Sequence, residues 1–358
     1  MKLKKRFTAL VTAAVMAASA FSICAGAQER DAFEGEEYRM VYSTRIYGST
    51  RFDTAMQIAQ RYMEDSGKEK LQCVIVASGM AFPDALSATY LAKVKGAPIL
   101  ITQSSADKQV ADFIRENSAE DATVYIVGGT GAVSAEMESL LSGLNVKRLA
   151  GADRFTTNLE VLKETGVKNG KFIIANAMNY PDALSASAVG LPIMLVSGNS
   201  LTAEQKKFVA SLDRKGENWE VVPQRPNETE ILPVLDADAD AVIIGGTGAV
   251  SSAMESSLKN EFNSVKRLGG KDRYETSVKV AQEFFAAPTT IAVAYGLNYP
   301  DGLCGGVLAN YYGCPLIFAA GADYAAAKDY AKKSGTKYTV TFGGPALIPD
   351  ESLAGIVG

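Results

Sequence analysis

A chain of 358 residues with 47% hydrophobic and 21% charged residues has a globular composition and a length suited to two or three domains. It contains no histidine, which excludes Ser-His-Asp and Cys-His nucleophile systems, imidazole-ligated zinc and proton transfer by a side chain poised near neutral pH. Its 36 basic residues against 40 acidic ones leave no uniformly basic footprint for nucleic acid.

Residues 1–27 read as an export signal. Lys2, Lys4, Lys5 and Arg6 form the basic start, an apolar stretch runs from about Phe7 to Ile23, and Ala25-Gly26-Ala27 supplies small residues at the cleavage positions. That stretch is short and rich in Ala, Ser and Thr for a transmembrane anchor, so the expectation is a secreted chain with no membrane span after signal removal. Without it, 32 basic residues face 40 acidic ones, a balance of −8. Residues 28–44 form a lead-in. Cys73, Cys304 and Cys314 remain in the mature chain, too few and too odd a number for a disulfide framework.

From Arg45 onward the chain repeats itself three times. One phrase appears as Arg45-Ile-Tyr-Gly-Ser-Thr-Arg-Phe-Asp-Thr54, Arg148-Leu-Ala-Gly-Ala-Asp-Arg-Phe-Thr-Thr157 and Arg267-Leu-Gly-Gly-Lys-Asp-Arg-Tyr-Glu-Thr276. A second follows each time: Phe82-Pro-Asp-Ala-Leu-Ser-Ala88, Tyr180-Pro-Asp-Ala-Leu-Ser-Ala186 and Tyr299-Pro-Asp-Gly-Leu-Cys-Gly305. The third is Gly128-Gly-Thr-Gly-Ala-Val-Ser134, again at Gly245 to Ser251, and altered to Gly343-Gly-Pro-Ala-Leu-Ile348. The copies are assigned to 45–147, 148–266 and 267–358. Asp182 lies 63 residues before its Gly-Gly pair, against 44 and 42 in the other copies. The middle copy therefore carries an insertion, placed at about 213–240, where Trp219, Pro223, Pro226 and Pro233 gather.

Within a copy, strand and helix alternate. Cys73–Ala77, Pro98–Ile101 and Thr123–Val127 are apolar runs of strand length, Ala85–Ala92 and Ala106–Glu116 are helix-compatible, and Ser134 is placed to open a further helix as its N-cap. Strands apolar throughout belong in a parallel sheet covered by helices. Each copy is therefore expected to be a small α/β unit.

The Gly-Gly pairs lack the GxGxxG order and any following Gly-Lys-Ser/Thr, so they predict tight turns that need positive φ or close backbone approach, not a nucleotide site. Asp84, Asp182 and Asp301 stand near helix starts, where a carboxylate caps free N–H groups; pairing with an Arg is the other structural role open to them. Each copy offers one such Asp without an acidic neighbour at ligand spacing, so no metal and no cofactor are expected. Arg45/Arg51, Arg148/Arg154 and Arg267/Arg273 present planar donor forks suited to phosphate or carboxylate. They either bind an anion or bridge the repeats, and both roles put them at seams between units.

These three phrases, with Pro98-Ile-Leu-Ile101, Pro192-Ile-Met-Leu195 and Pro315-Leu-Ile-Phe318, resemble the cell-wall-binding repeat 2 family of Gram-positive bacteria from about Tyr42 to Pro349. The resemblance implies three Toprim-like α/β units with parallel sheets, packed as a pseudo-threefold trimer within one chain. It also implies an exported, non-catalytic, wall-associated protein that holds an anionic polymer non-covalently, teichoic-acid-like or a secondary polysaccharide. The family's Pro-Ile-Leu-Leu stretch, implicated in polymer attachment, falls on Ile99, Leu100 and Ile101, on Ile193, Met194 and Leu195, and on Leu316, Ile317 and Phe318, none a full match. Copy three departs most, at Gly302, Cys304 and Pro345. With about 14 residues between the expected cleavage site and Tyr42, and ten beyond Ile348, the expectation is a chain without a separate effector domain. An extracellular solute or glycan receptor is the alternative, although three equal units give no unique two-lobed cleft. A polymer-modifying hydrolase ranks lower, because glycoside hydrolysis needs two carboxylates about one bond.

Overall fold

The computed structural model describes residues 42–212 and 239–357; the export signal, the lead-in before residue 42 and nearly all of the 213–240 insertion lie outside the described residues. The chain enters on strand β1 (Tyr42–Ile46) and helix α1 (Arg51–Ser66). There follow β2 (Leu71–Ser78), α2 (Phe82–Ser87), α3 (Thr89–Lys95), β3 (Ile99–Thr102), α4 (Asp107–Asn117), β4 (Ser118–Val127), α5 (Ala135–Leu140) and β5 (Asn145–Leu149). The pattern returns as α6 (Arg154–Glu164), β6 (Lys171–Asn176), α7 (Tyr180–Ser185), β7 (Ile193–Val196), α8 (Ala203–Ala210), β8 (Asp240–Ile244), α9 (Ser252–Leu258) and β9 (Val265–Leu268). It returns again as α10 (Arg273–Phe284), β10 (Thr290–Tyr295), α11 (Pro300–Tyr312), β11 (Leu316–Ala319), α12 (Ala325–Ser334), β12 (Tyr338–Phe342) and α13 (Asp350–Val357).

The strands form three four-stranded parallel sheets, in the orders β3-β2-β4-β5, β7-β6-β8-β9 and β11-β10-β12-β1. The apolar runs are strands covered on both faces: β3, β7 and β11, although each stands at one end of its sheet, are buried along their whole length. The fourth strand of each sheet begins a repeated Arg phrase. β5 and β9 close the units before them, and β1 closes the last sheet, with Tyr42 opposite Tyr338 and Ile46 opposite Phe342. Repeat in sequence and unit in space are therefore offset by one strand. The phrase leaves one sheet and opens the first helix of the next, and β1 joins the start of the chain to its end.

That closure has a measurable consequence. Ile46 is buried against the core formed with Phe342, so Ile46→Ala is expected to cost about 2 kcal/mol. Hydrogen exchange should speed up in β12 and β10, both distant from Ile46 in sequence, before it does in β4. Uniform loss of protection across all three sheets would count against strand closure as the cause.

The three units share one continuous core that includes Phe52, Leu86, Leu184, Leu303 and Phe342. At its centre α2, α7 and α11 meet about a pseudo-threefold axis, and Phe82, Tyr180 and Tyr299 form a closed ring of contacts with centroids 5.6–5.9 Å apart. Two glycines of α11 in copy three, where the other copies have Ala88/Thr89 and Ala186/Ser187, permit close packing. A Cβ at Gly305 would stand 2.2 Å from the Phe342 ring, and one at Gly306 1.9 Å from Ser187 Oγ. After the altered Gly-Gly turn of copy three the chain ends on α13. Cys73, Cys304 and Cys314 are buried free thiols, and burial pushes the first up to about 11 and the last up to about 12.

Candidate functional site: three seams between the units

Each repeated phrase can be assigned residue by residue. Thr50, Asp153 and Asp272 are N-caps, accepting from the backbone N–H of Asp53, Thr156 and Glu275. Thr54, Thr157 and Thr276 each receive the backbone N–H of Gly48, Gly151 and Gly270 at 3.0 Å, folding the turn onto the helix. The second Arg is thereby fixed as the first residue of α1, α6 or α10. These helices pack on α11, α2 and α7 of the preceding unit, so every second Arg stands at a seam.

The two Arg sets do different work. Arg45 donates Nη1 to the Gly343 carbonyl and Nη2 to the Ile348 carbonyl and Asp350. Arg148 spends Nε, Nη1 and Nη2 on Glu138 and the carbonyls of Gly128, Val133 and Ser134. Arg267 bonds Glu255 through Nε and Nη2 and the Gly245 carbonyl through Nη1. Their forks are occupied by the turn they lock, which removes Arg45, Arg148 and Arg267 from the polymer-binding candidates. The second set is held by one nitrogen only. Nη1 of Arg51, Arg154 and Arg273 donates to the carbonyls of Gly79, Ala177 and Gly296 at 2.7, 2.9 and 2.7 Å. Arg273 also reaches Tyr180 Oη at 2.8 Å and lies over its ring. Among the described residues, Nε and Nη2 of these three half-buried arginines take no protein acceptor.

Asp84, Asp182 and Asp301 occupy the third position of α2 and α7 and the second of α11, inside the first turn rather than at the cap, and the residues preceding those helices make no side-chain cap bond. The capping role is therefore corrected. The carboxylates lie over the Gly-Gly turns: a Cβ at Gly128, Gly245 or Gly343 would stand 2.6, 2.3 or 2.6 Å from the Asp Oδ2, and φ there is +116, +114 and +108°. Only glycine satisfies both the space and the backbone, which is why the Pro-Asp and Gly-Gly phrases recur together. Nor do these Asp residues make ion pairs within 4 Å with the seam arginines among the described residues. Burial pushes Asp84 and Asp182 up to about 6, partly offset by the charges of Arg154 and Arg273. Burial likewise raises Asp301, offset by the Thr54 hydroxyl and by Arg51. Each Asp thus faces the second Arg of the next unit, and the third returns to the first.

The stretches beginning at Ile99, Ile193 and Leu316 do not join this site. All nine side chains from Ile99 to Ile101, Ile193 to Leu195 and Leu316 to Phe318 are at most 1% exposed, so they are core strands without a surface to offer. The sequence reading did not single out Met80, Met178 and Leu297, which stand two residues before the central aromatic ring in each copy and are 59, 62 and 56% exposed. Nor did it single out Tyr47, 49% exposed. Isolated apolar residues in loops have no periodicity to mark them; position relative to the repeat was the available signal. No group of acidic or cysteine side chains among the described residues is arranged to hold a metal ion, and no helix among them is long and apolar enough to cross a membrane.

Comparison with known proteins agrees with this geometry. The cell wall binding domain 2 (CWB2) family matches residues 45–138, 148–255 and 267–353. The chain is 29% identical over 284 residues to N-acetylmuramoyl-L-alanine amidase LytC of Bacillus subtilis, covering 77% of this chain and 50% of that protein. It is 25% identical over 308 residues to the amidase enhancer of the same organism, covering 83% and 37%. Among solved structures, Cwp8 from Clostridium difficile superposes with a TM-score of 0.72 at 26% identity, covering 88% of this chain and 51% of that one. Cwp6 from the same species gives 0.71 at 22% identity, covering 90% and 48%, which bears on the fold. The chain thus spans about half or less of each of these proteins. With three matches placed on its three spatial repeats, the chain belongs to the cell wall binding domain 2 family.

Proposed function

We propose that this protein is a secreted, non-catalytic wall anchor that holds an anionic secondary wall polymer, teichoic-acid-like or a polysaccharide, without a covalent link. The observation that carries the reading is the set of Arg51, Arg154 and Arg273: three guanidinium groups at equivalent seams, each fixed through one nitrogen and open through the others. Such forks suit phosphate or carboxylate. The balance of −8 outside the signal gives no long-range attraction to an anionic polymer, so recognition rests on these short-range donors. A hydrolase is disfavoured because each seam contributes a single recurring carboxylate, which is packed on a glycine and held up by burial.

Mature protein mixed with isolated native Gram-positive walls is expected to pellet with them and to stay in solution when the walls have been stripped of secondary polymer. Raised salt should weaken the binding. No wall sugar or peptide should be released. Equal pelleting with stripped walls would overturn the polymer reading, and release of wall fragments would overturn the non-catalytic one.

A further inference from the structure

The seam that joins the third unit to the first differs from its two equivalents in ways that point to one ligand class. It carries a cleft of about 390 Å³ whose lining includes Tyr47, Arg51, Tyr295, Asn298 and Asp301. That volume lies at the low end for small-molecule sites, with room for about one or two sugar rings. Both aromatic residues are particular to this seam. Tyr47 stands where the other copies have Ala150 and Gly269, and Tyr295 where they have Ser78 and Asn176. The turn beneath has changed to match. A Cβ at Gly344 would stand 3.2 Å from Tyr47 Cδ2, whereas one at Gly129 or Gly246 would meet nothing within 4 Å. Pro345 and Ala346, also in the lining, replace the Thr-Gly of the other two turns.

Tyr47 is thus laid on a glycine at the mouth of the cleft with about half of its surface in water. Tyr295 also lines the cleft, whose polar members include the Asn298 amide, the Arg51 guanidinium with its open donors, the Asp301 carboxylate and the hydroxyl groups of Ser49, Thr50 and Thr54. A pyranose ring has an apolar C–H face bordered by hydroxyl groups. Aromatic walls take the face, because the negative face of the ring system attracts C–H edges, and the few convergent polar groups fix the rim.

We infer that the cleft between the third and first units is a subsite for a single pyranose unit bearing a phosphate or carboxylate group, with its apolar face on Tyr47 and its anionic group on Arg51. In this arrangement Asn298 and Asp301 take the ring hydroxyls. The inference rests on the anchoring reading and makes it asymmetric: three seams offer guanidinium groups, and one of them reads a sugar. The altered third copy is then what specialises this seam.

The test uses the full mature chain with native walls and with two purified polymers, a glycosylated poly(glycerol phosphate) and a polyuronate. Tyr47→Ala is expected to weaken binding at least tenfold while Tyr47→Phe stays within about twofold of the parent, both melting as the parent does, because the hydroxyl group makes no bond the fold uses. Asn298→Ala should weaken binding severalfold, whereas Asn179→Ala, at the equivalent position of the middle copy, should not. The polymer whose binding depends on Tyr47 identifies the anionic group as phosphate or carboxylate. Parent-like wall binding by Tyr47→Ala overturns the subsite and leaves the anchoring reading standing. Failure of the parent protein to bind native walls overturns both.

Discussion

Replacing Arg51, Arg154 and Arg273 together by Lys is expected to leave a folded protein that binds native walls at least a hundredfold more weakly. Each of these residues gives one nitrogen to a carbonyl at the end of β2, β6 or β10. A lysine ammonium can satisfy that carbonyl, yet as a compact point charge it does not reproduce the fork that would engage phosphate or carboxylate. Charge-assisted hydrogen bonds contribute roughly 1.5–3 kcal/mol each, so losing one per seam gives about 5 kcal/mol if all three seams are engaged at once. A hundredfold loss requires only about 3 kcal/mol. The contrasting triple, Arg45→Lys, Arg148→Lys and Arg267→Lys, removes donors that lock the Gly-Gly turns and the acids Asp350, Glu138 and Glu255. Its expected defect is a lower melting temperature, with wall affinity per folded molecule kept. Measuring both triples by calorimetric melting and wall pelleting separates the two Arg sets. Reversal of the pattern would assign polymer binding to the first set.

That division was only partly legible in the sequence. The recurrence of Arg-x-x-Gly-x-x-Arg located the seams, because the phrase returns with the Pro-Asp and Gly-Gly phrases in a fixed order. Which Arg of each pair is occupied depends on three-dimensional partners: the carbonyl of the first Gly of each Gly-Gly phrase takes the first Arg, a contact that linear spacing alone does not disclose. The first three strands of each sheet could be read as apolar runs, since both faces of a parallel sheet are covered. The fourth strands could not. Asn145–Leu149 and Val265–Leu268 are edge strands that alternate between exposed and half-buried positions up to a buried Leu, with charged residues among them, so a reading keyed to apolar runs passes over them. The strand offset between repeat and unit was invisible for the same reason. Residues 99–101, 193–195 and 316–318 show the opposite case: the resemblance marked them as attachment residues, and burial on both faces makes them core.

Acidification from pH 7.5 to pH 5 is expected to stabilise the protein, and Asp84→Asn with Asp182→Asn should abolish most of that gain. In the folded chain both carboxyl groups are pushed up to about 6 from the ordinary 3.8 of an aspartate, burial being the main cause. A group with a raised folded pKa takes up its proton more readily when folded. Its contribution to stability is fully present below the unfolded pKa near 4 and is lost as pH rises through about 6. Two pKa units correspond to about 2–3 kcal/mol, so the pair amounts to about 4 kcal/mol when discounted for partial exposure. Below pH 4 the sign changes. Asp53, Asp153 and Glu255 have depressed folded values, mainly through their hydrogen bonds to Gln109, Thr156 and Arg267, and their protonation then costs stability. The stability maximum should therefore lie between about pH 4 and pH 5. The Asn pair keeps the shape that rests on Gly128 and Gly245 but removes the buried charge, so it should melt higher than the parent at pH 7.5, by less at pH 5, and match it only as pH falls to about 4. Should the Asn pair instead melt lower at pH 7.5, the charge of Asp84 and Asp182 would be needed opposite Arg154 and Arg273. The seams would then be held by ion pairing across the units, and the arginines would have less to offer an external anion.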